Sequence, residues 1–492
     1  MSTRADQQTT VPDDIGYEAR PRLGHFQWWE LAGVAAAVVA FMVIALILIN
    51  QGAPLGHDEA VYSARARELV NGEPASAWWM PYRAPGLSAL LTLAWIGNGT
   101  EPYLRLVVAL SGVVLVVATW YLGRIMVGRS AALVAAFGLA LTPTVLVSAT
   151  QVWPDVPGAA VGVAALAVYA HALSVERFPW WAVIVVPGLV GVATTIRYGA
   201  PIPLAIGLVV LTLWRSREAR IRAAWIVATA VGVAAVVAIL LMTPLLTGGR
   251  TPFAAVRDLS AGIPLTQGFT DYWHVHDFLL AGPAVVGLLG IAVGVGRAST
   301  SRELSARILW PLGIGVATFV ALAASVHGEH RYLAPAYPWF WLAAGAGLVS
   351  FGEIMSRAAR IGSGLALLAV VFALGVPLSN GQNQFNEGFT VIKEAASSLD
   401  TGQACGVLTS YTPQVEWYSG CETVGFISME AMTESQWLPD GPRYLFVVES
   451  GKRQPSDEIL EEYYEASTGA PRAFGTPGAR RRYVEVWTLS GG

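Results

Sequence analysis

The sequence predicts a polytopic α-helical membrane protein of about eleven spans, closed by a small C-terminal α/β domain. Three observations carry that prediction. Hydrophobic residues make up 54% of the chain and charged residues only 13%, about half the charged share of a soluble domain. Mean hydropathy is +0.51, and the apolar residues gather into runs near the roughly 20 residues that cross a bilayer as a helix. Beyond residue 378 the runs stop and the composition turns soluble. The net charge of -3 excludes little, because in a membrane protein the placement of arginines matters more than their sum. No nucleic-acid footprint is visible.

Residues 1–28 open the chain as a polar stretch rich in Asp, Gln, Thr and Pro, expected to be a disordered cytoplasmic tail with no cleavable signal. Residues 29–378 form the membrane region, with apolar runs at 29–50, 104–123, 130–148, 156–173, 179–196, 198–214, 223–243, 278–296, 308–326, 332–351 and 361–378. A first loop, 51–102, contains one further apolar stretch from Ala84 to Ile96. At about 13 residues it is too short to span and is expected to lie in the interface. Residues 379–492 form the soluble region, with a helix expected over Glu387 to Leu399 and strands over 406–410, 444–448 and 483–489.

Arginines fix the orientation. With 84–96 kept out of the span count, fifteen arginines fall on the side of the N-terminal tail and seven in the opposite loops. That is a positive-inside bias, and counting 84–96 as a span would destroy it. The first loop, the turn at Asp155, the loop 244–277, the turn 327–331 and everything after 378 are therefore expected outside the cytoplasm, at the cell membrane. The only two cysteines, Cys405 and Cys421, lie in that outer region and are expected to pair there, free buried thiols being the alternative.

Chemistry-bearing residues collect at the same face. His57-Asp58-Glu59 follows the first span, and carboxylates at a membrane edge are expensive to keep. Adjacent side chains on a helix diverge by about 100°, so one acid faces a cavity while the other holds the loop; a helix cap is the competing reading. Asp155, in Gln151-Val152-Trp153-Pro154-Asp155, is a second acid at that mouth, or an N-cap for the span after it. Arg83, Arg197, His330, Arg331 and Tyr332 supply the complement. Guanidinium groups bind phosphate bidentately, and snorkelling to ordinary lipid headgroups is the plain alternative. His327 and His330 are too few and too loosely spaced to identify a metal site by themselves.

Several of these features together resemble the GT-C superfamily of membrane glycosyltransferases. They are the acidic pair after the first span, the Ala84-Pro85-Gly86-Leu87 helix start, Asp155, and the Arg331-Tyr332-Leu333-Ala334-Pro335 entry to a late span. The pattern is most similar to protein O-mannosyltransferases and the aminoarabinose transferases of lipid A, over roughly residues 29–350. The resemblance implies an enzyme, a hexosyl or pentosyl transferase. It would move a sugar from a polyprenyl-phosphate donor to an extracytoplasmic glycan, lipid or protein, with inversion. Asp58 would then be the general base, with Glu59 and Asp155 in the catalytic set. Arg83, Arg197, His330, Arg331 and Tyr332 would hold the donor phosphate. Some members bind a divalent cation near the acidic motif, in which case Asp58 and Asp155 would be its ligands. The chain departs from the aminoarabinose transferases at Val61 and Ala84, where they carry arginine and lysine; Arg83 stands one residue earlier. A lipid or solute transporter with an accessory domain is the competing class, and predicts charge or helix breaks in mid-membrane.

Overall fold

The computed structural model of the 492-residue chain describes residues 26–75, 83–175, 177–215, 222–246, 264, 266–274, 283–298, 302–324, 328–352, 389–399, 402, 404–426, 441–449, 456–477 and 483–489. The predicted N-terminal tail and the last apolar run, 361–378, lie outside the described residues, as does most of the loop 244–277.

Fourteen helices are described ahead of the soluble region: α1 (Trp28–Asn50), α2 (His57–Asn71), α3 (Gly86–Leu91), α4 (Glu101–Met126), α5 (Arg129–Ala140), α6 (Pro143–Ala149), α7 (Asp155–Ser174), α8 (Ala182–Ile196), α9 (Pro201–Trp214), α10 (Ala223–Leu246), α11 (Gln267–His274), α12 (Pro283–Ala298), α13 (Arg302–Ala323) and α14 (Tyr337–Gly352). Each predicted apolar run up to residue 351 coincides with one of them, the third being shared by α5 and α6. By length and composition, 5 of the described helices can cross a membrane, in α1, α4, α7, α10 and α13; the bent pair α5 and α6 raises the number to 6. The described stretches of α8, α9, α12 and α14 are shorter, α12 and α14 ending where the described residues end. The 61° bend between α5 and α6 has a local cause. Pro143 cannot donate to the helix ladder, and Thr142 Oγ1 instead donates to Gly138 O at 2.7 Å and accepts Trp341 Nε1 at 2.9 Å.

Small residues set the helix crossings. A Cβ on Gly347 in α14 would lie 1.9 Å from the carbonyl oxygen of Gly290 in α12, so only glycine permits that approach. Close backbone contact of this kind replaces hydrophobic driving force between helices in lipid.

The ion pairs sort the helix ends into two groups. At one end Glu30, fully buried at the start of α1, pairs with Arg124 at 3.3 Å and Arg129 at 3.2 Å, from the end of α4 and the start of α5. Arg222 bonds the carbonyls of Leu173 and Val175, and Arg297 that of Ser350. These arginines all belong to the predicted arginine-rich face. At the other end the first turn of α2, the start of α7, the end of α8 and the turn before α14 meet through Asp58, Asp155, Arg197 and Arg331. The stretch 84–96 is found there as α3 followed by a 3-10 turn, Thr92–Gly97. Gly86 lets α3 press onto the end of α8, since a Cβ would meet the Thr195 carbonyl carbon and oxygen at 2.6 Å.

The C-terminal region contains α15 (Thr390–Ser397), β1 (Gly406–Leu408), α16 (Thr412–Ser419), β2 (Glu422–Val424), β3 (Arg443–Val448), α17 (Asp457–Glu465), β4 (Arg472–Gly475) and β5 (Tyr483–Leu489). The five strands form one mixed sheet in the order β2-β1-β3-β5-β4. β1 runs parallel to β2 and β3, while β5 is antiparallel to β3 and β4. The three predicted strands are present; β2, β4, α16 and α17 are additions. Cys405 and Cys421 are disulfide-bonded, closing the β1-α16-β2 unit.

That unit sits directly on α2. Tyr418 donates its hydroxyl to no described group but accepts the amide of Leu55 at 2.7 Å. Arg67 donates to the carbonyls of Trp417 and Glu416 at 3.2 and 3.1 Å, and His57 Nδ1 lies 3.3 Å from Gln414 Oε1. Lys393 pairs with Glu101 at 2.7 Å.

Candidate active site

Helix α2 begins where the chain leaves α1 and turns back. Gly56 is its N-cap, and Glu59 Oε2 accepts the Gly56 amide at 2.9 Å, as a capping box requires. Asp58 and Glu59 therefore occupy the first turn, where the helix dipole favours negative charge. From there the two side chains diverge as their adjacency requires.

Glu59 turns inward and is 1% exposed. Its Oε1 accepts Val152 N at 2.9 Å and Arg105 Nε at 3.2 Å, and its Oε2 also accepts Arg105 Nη2 at 3.3 Å. Arg105, near the start of α4, donates further to Ala53 O at 2.7 Å and Pro54 O at 3.2 Å. The pair ties the turn before α2 to α4 and to the 151–154 turn that leads into α7.

Asp58 points the other way, its side chain 33% exposed. Arg331 Nη2 donates to Asp58 Oδ2 at 2.9 Å and Arg83 Nη1 approaches Oδ1 at 3.3 Å. Burial would raise the Asp58 carboxyl, but Arg331 and Arg83 outweigh it and hold it below the usual carboxylate range. Behind this pair lies a second one. Asp155, the first residue of α7 and 1% exposed, is ion-paired with Arg197 from the end of α8. Arg331 Nε bridges the two pairs, 3.9 Å from Asp155 Oδ2, and pairs with Glu329 at 2.5 Å.

Aromatic faces hold the guanidinium groups flat. Arg331 stacks over Trp153 at 4.5 Å and Tyr332 at 5.3 Å, Arg197 over Tyr332 at 4.5 Å, and Arg83 over Tyr62 at 5.8 Å. Burial pushes the Tyr62 phenol up to about 12, so it remains protonated. Asp155 and Arg197 line a small, mostly apolar cleft of about 20 Å³ together with Gly158, Gly162, Leu204, Leu322 and Trp339.

The donor set does not suit a divalent cation between Asp58 and Asp155, because the Arg331 guanidinium occupies the space they share. Among the described residues no three of His, Cys, Asp and Glu converge on one point.

Residues 83–243 match the family model for dolichyl-phosphate-mannose-protein mannosyltransferase, a stretch that holds Arg83, Arg105, Asp155 and Arg197. The fold is similar to that of ArnT from Cupriavidus metallidurans in the apo state, with a TM-score of 0.62 at 14% identity over 94% of this chain and 99% of that one. The chain has the fold of ArnT, and its match to the mannosyltransferase family model lies within that fold. The same ArnT bound to undecaprenyl phosphate matches with a TM-score of 0.56 at 15% identity, covering 94% of this chain and 98% of that one. The archaeal oligosaccharyltransferase AglB from Archaeoglobus fulgidus, in complex with an inhibitory peptide and a dolichol-phosphate, matches at 0.55 and 14%, over 86% and 69% of the two chains. No curated protein sequence matches.

Of the residues singled out in the sequence, the fold brings Asp58, Asp155, Arg83, Arg197, Arg331 and Tyr332 together. Glu59 lies outside that cluster, committed to Arg105. The His330 side chain lies outside the described residues. Val61 and Ala84 are buried, while Arg83 reaches the acid that its neighbours in sequence cannot. Sequence reading missed Arg105, counted inside an apolar run, although a lone arginine one turn into a span is itself a signal. It also gave no role to Trp153, named only within the Asp155 motif.

Proposed function

We propose that the enzyme transfers a sugar from a polyprenyl-phosphate donor to a hydroxyl of an extracytoplasmic glycan, lipid or protein, inverting the anomeric centre. The observation that carries this reading is Asp58 held between Arg83 and Arg331, with Arg331 also reaching Asp155, which lines a small apolar cleft. A carboxylate able to take a proton thus stands beside cations able to take a phosphate.

The step balances as one displacement. The acceptor oxygen bonds to C1 of the sugar as the C1–O bond to phosphate breaks. The acceptor proton passes to Asp58, and polyprenyl phosphate leaves with the bonding pair. Arg83, Arg331 and Arg197 neutralise the growing negative charge, in a setting where fixed cations act at low dielectric. The donor phosphate competes with Asp58 for Arg83 and Arg331. Its arrival loosens the ion pairs that depress Asp58 and makes the carboxylate a better base as the acceptor binds. Glu59 acts as a positioning residue.

The undecaprenyl phosphate bound by ArnT and the dolichol-phosphate bound by AglB support the donor class. The Cys405–Cys421 bond and the arginine-rich opposite end support an extracytoplasmic site. A transporter is less well supported, since the charged groups of the described helices gather at helix ends. The test supplies membranes containing wild type or Asp58→Ala with radiolabelled polyprenyl-phosphate sugars. Transfer by wild type alone is expected; equal transfer by both would remove Asp58 from the mechanism.

A further inference from the structure

Tyr272 lies on α11, the short helix between α10 and α12. One hydrogen bond ties that helix to the segment before Arg331, and a second, within the helix, holds its carboxylate in place. Asp271 Oδ2 accepts the amide of Gly328 at 2.8 Å, and Oδ1 accepts Gln267 Nε2 at 2.6 Å. Gly328 permits the approach, since a Cβ there would meet the Gly268 carbonyl at 2.7 Å. The helix is thereby anchored to the residue before Glu329, three before Arg331.

The Tyr272 ring is packed against Phe319 of α13 at 5.5 Å, with Phe269 against the same ring at 6.2 Å. Tyr272 is 2% exposed, yet its hydroxyl finds no hydrogen-bond partner among the described residues. Buried tyrosine hydroxyls are ordinarily satisfied. The charged and polar groups it senses are those of the site: Arg197, Tyr332, Tyr337 and Glu329. Burial pushes its phenol well above the ordinary range, so it remains a hydrogen-bond donor at any working pH.

An unsatisfied buried donor within the electrostatic reach of the Arg197 guanidinium is arranged for an anionic oxygen. We infer that Tyr272 donates its hydroxyl to a phosphate oxygen of the lipid-linked donor, opposite Arg197. This rests on the donor class proposed above, and it assigns to the 244–277 loop a binding residue that the sequence reading did not contain.

The test measures thermal unfolding of the purified full-length protein, wild type and Tyr272→Phe, against undecaprenyl phosphate and against inorganic phosphate. Without ligand, Tyr272→Phe is expected to melt at or above the wild-type temperature, because the hydroxyl has no partner to lose among the described residues. Its midpoint for stabilisation by undecaprenyl phosphate is expected to rise about tenfold, as for a lost hydrogen bond to a charged group. Equal midpoints for the two proteins overturn the inference while leaving the donor reading intact. A lower melting temperature for unliganded Tyr272→Phe also overturns it, by revealing an internal partner. Failure of undecaprenyl phosphate to stabilise wild type overturns the donor reading and this inference with it. Stabilisation of wild type by inorganic phosphate at the same concentrations overturns the lipid source.

Discussion

Removing the charge of Glu59 while keeping its shape separates positioning from catalysis at this site. Glu59→Gln leaves Arg105 buried with no counter-ion and replaces one acceptor oxygen by an amide that faces donors. Four hydrogen bonds of 2.9 to 3.3 Å converge on the carboxylate, two from Arg105, one from Gly56 and one from Val152. Breaking a buried ion pair from one side costs about 3–5 kcal/mol, and the same loss is expected of Arg105→Met. Glu59→Gln combined with Arg105→Met removes both charges and is expected to recover part of the loss, with a coupling of about 1–3 kcal/mol. Recovery stays partial because Ala53 O and Pro54 O lose their donor. The assay is the unfolding transition of the four proteins in one detergent, with sugar transfer measured well below each transition. Glu59→Gln that lost transfer at unchanged stability would refute the reasoning and put Glu59 among the reacting atoms.

Two further predictions follow from the same geometry. Tyr418→Phe orphans the buried Leu55 amide, costs about 1–3 kcal/mol, and lowers kcat more than it changes donor KM; an unchanged kcat at equal stability would show that the C-terminal sheet does not position α2. The third concerns pH. Asp58 is depressed below its unfolded value, so its ion pairs stabilise the fold above that value and are lost as pH falls through the lower folded one. Arg331→Gln removes the strongest lowering influence and is expected to move the acid limb of the rate profile upward; an unmoved limb would mean that Asp58 does not set it.

The placement of charge at the ends of apolar runs made most of the site legible in the sequence. Asp58, Asp155, Arg83, Arg197 and Arg331 are expensive where they sit, and helix alternation alone brings them to one mouth. Which of the two adjacent acids would face that mouth was decided by Arg105, from a helix 46 residues further on. Tyr418 reaches Leu55 across 363 residues, beyond any local pattern. Tyr272 sat in a stretch read only as a loop, because eight residues are too few for a helical period to stand out. β2 and β4, of three and four residues, were missed for the same reason. Of the eleven predicted runs the last lies outside the described residues, and among the described helices 5 or 6 reach spanning length.

The central claim is that Asp58 and the donor phosphate share Arg83 and Arg331. The most direct test is Asp58→Asn, assayed for sugar transfer and for binding of undecaprenyl phosphate in the same preparation. Transfer is expected to fall by about 10²–10⁴, the usual worth of a general base, while undecaprenyl phosphate binds more tightly because two guanidinium groups have lost their competitor. Wild-type transfer by Asp58→Asn, or weaker binding of undecaprenyl phosphate to it, would contradict the account.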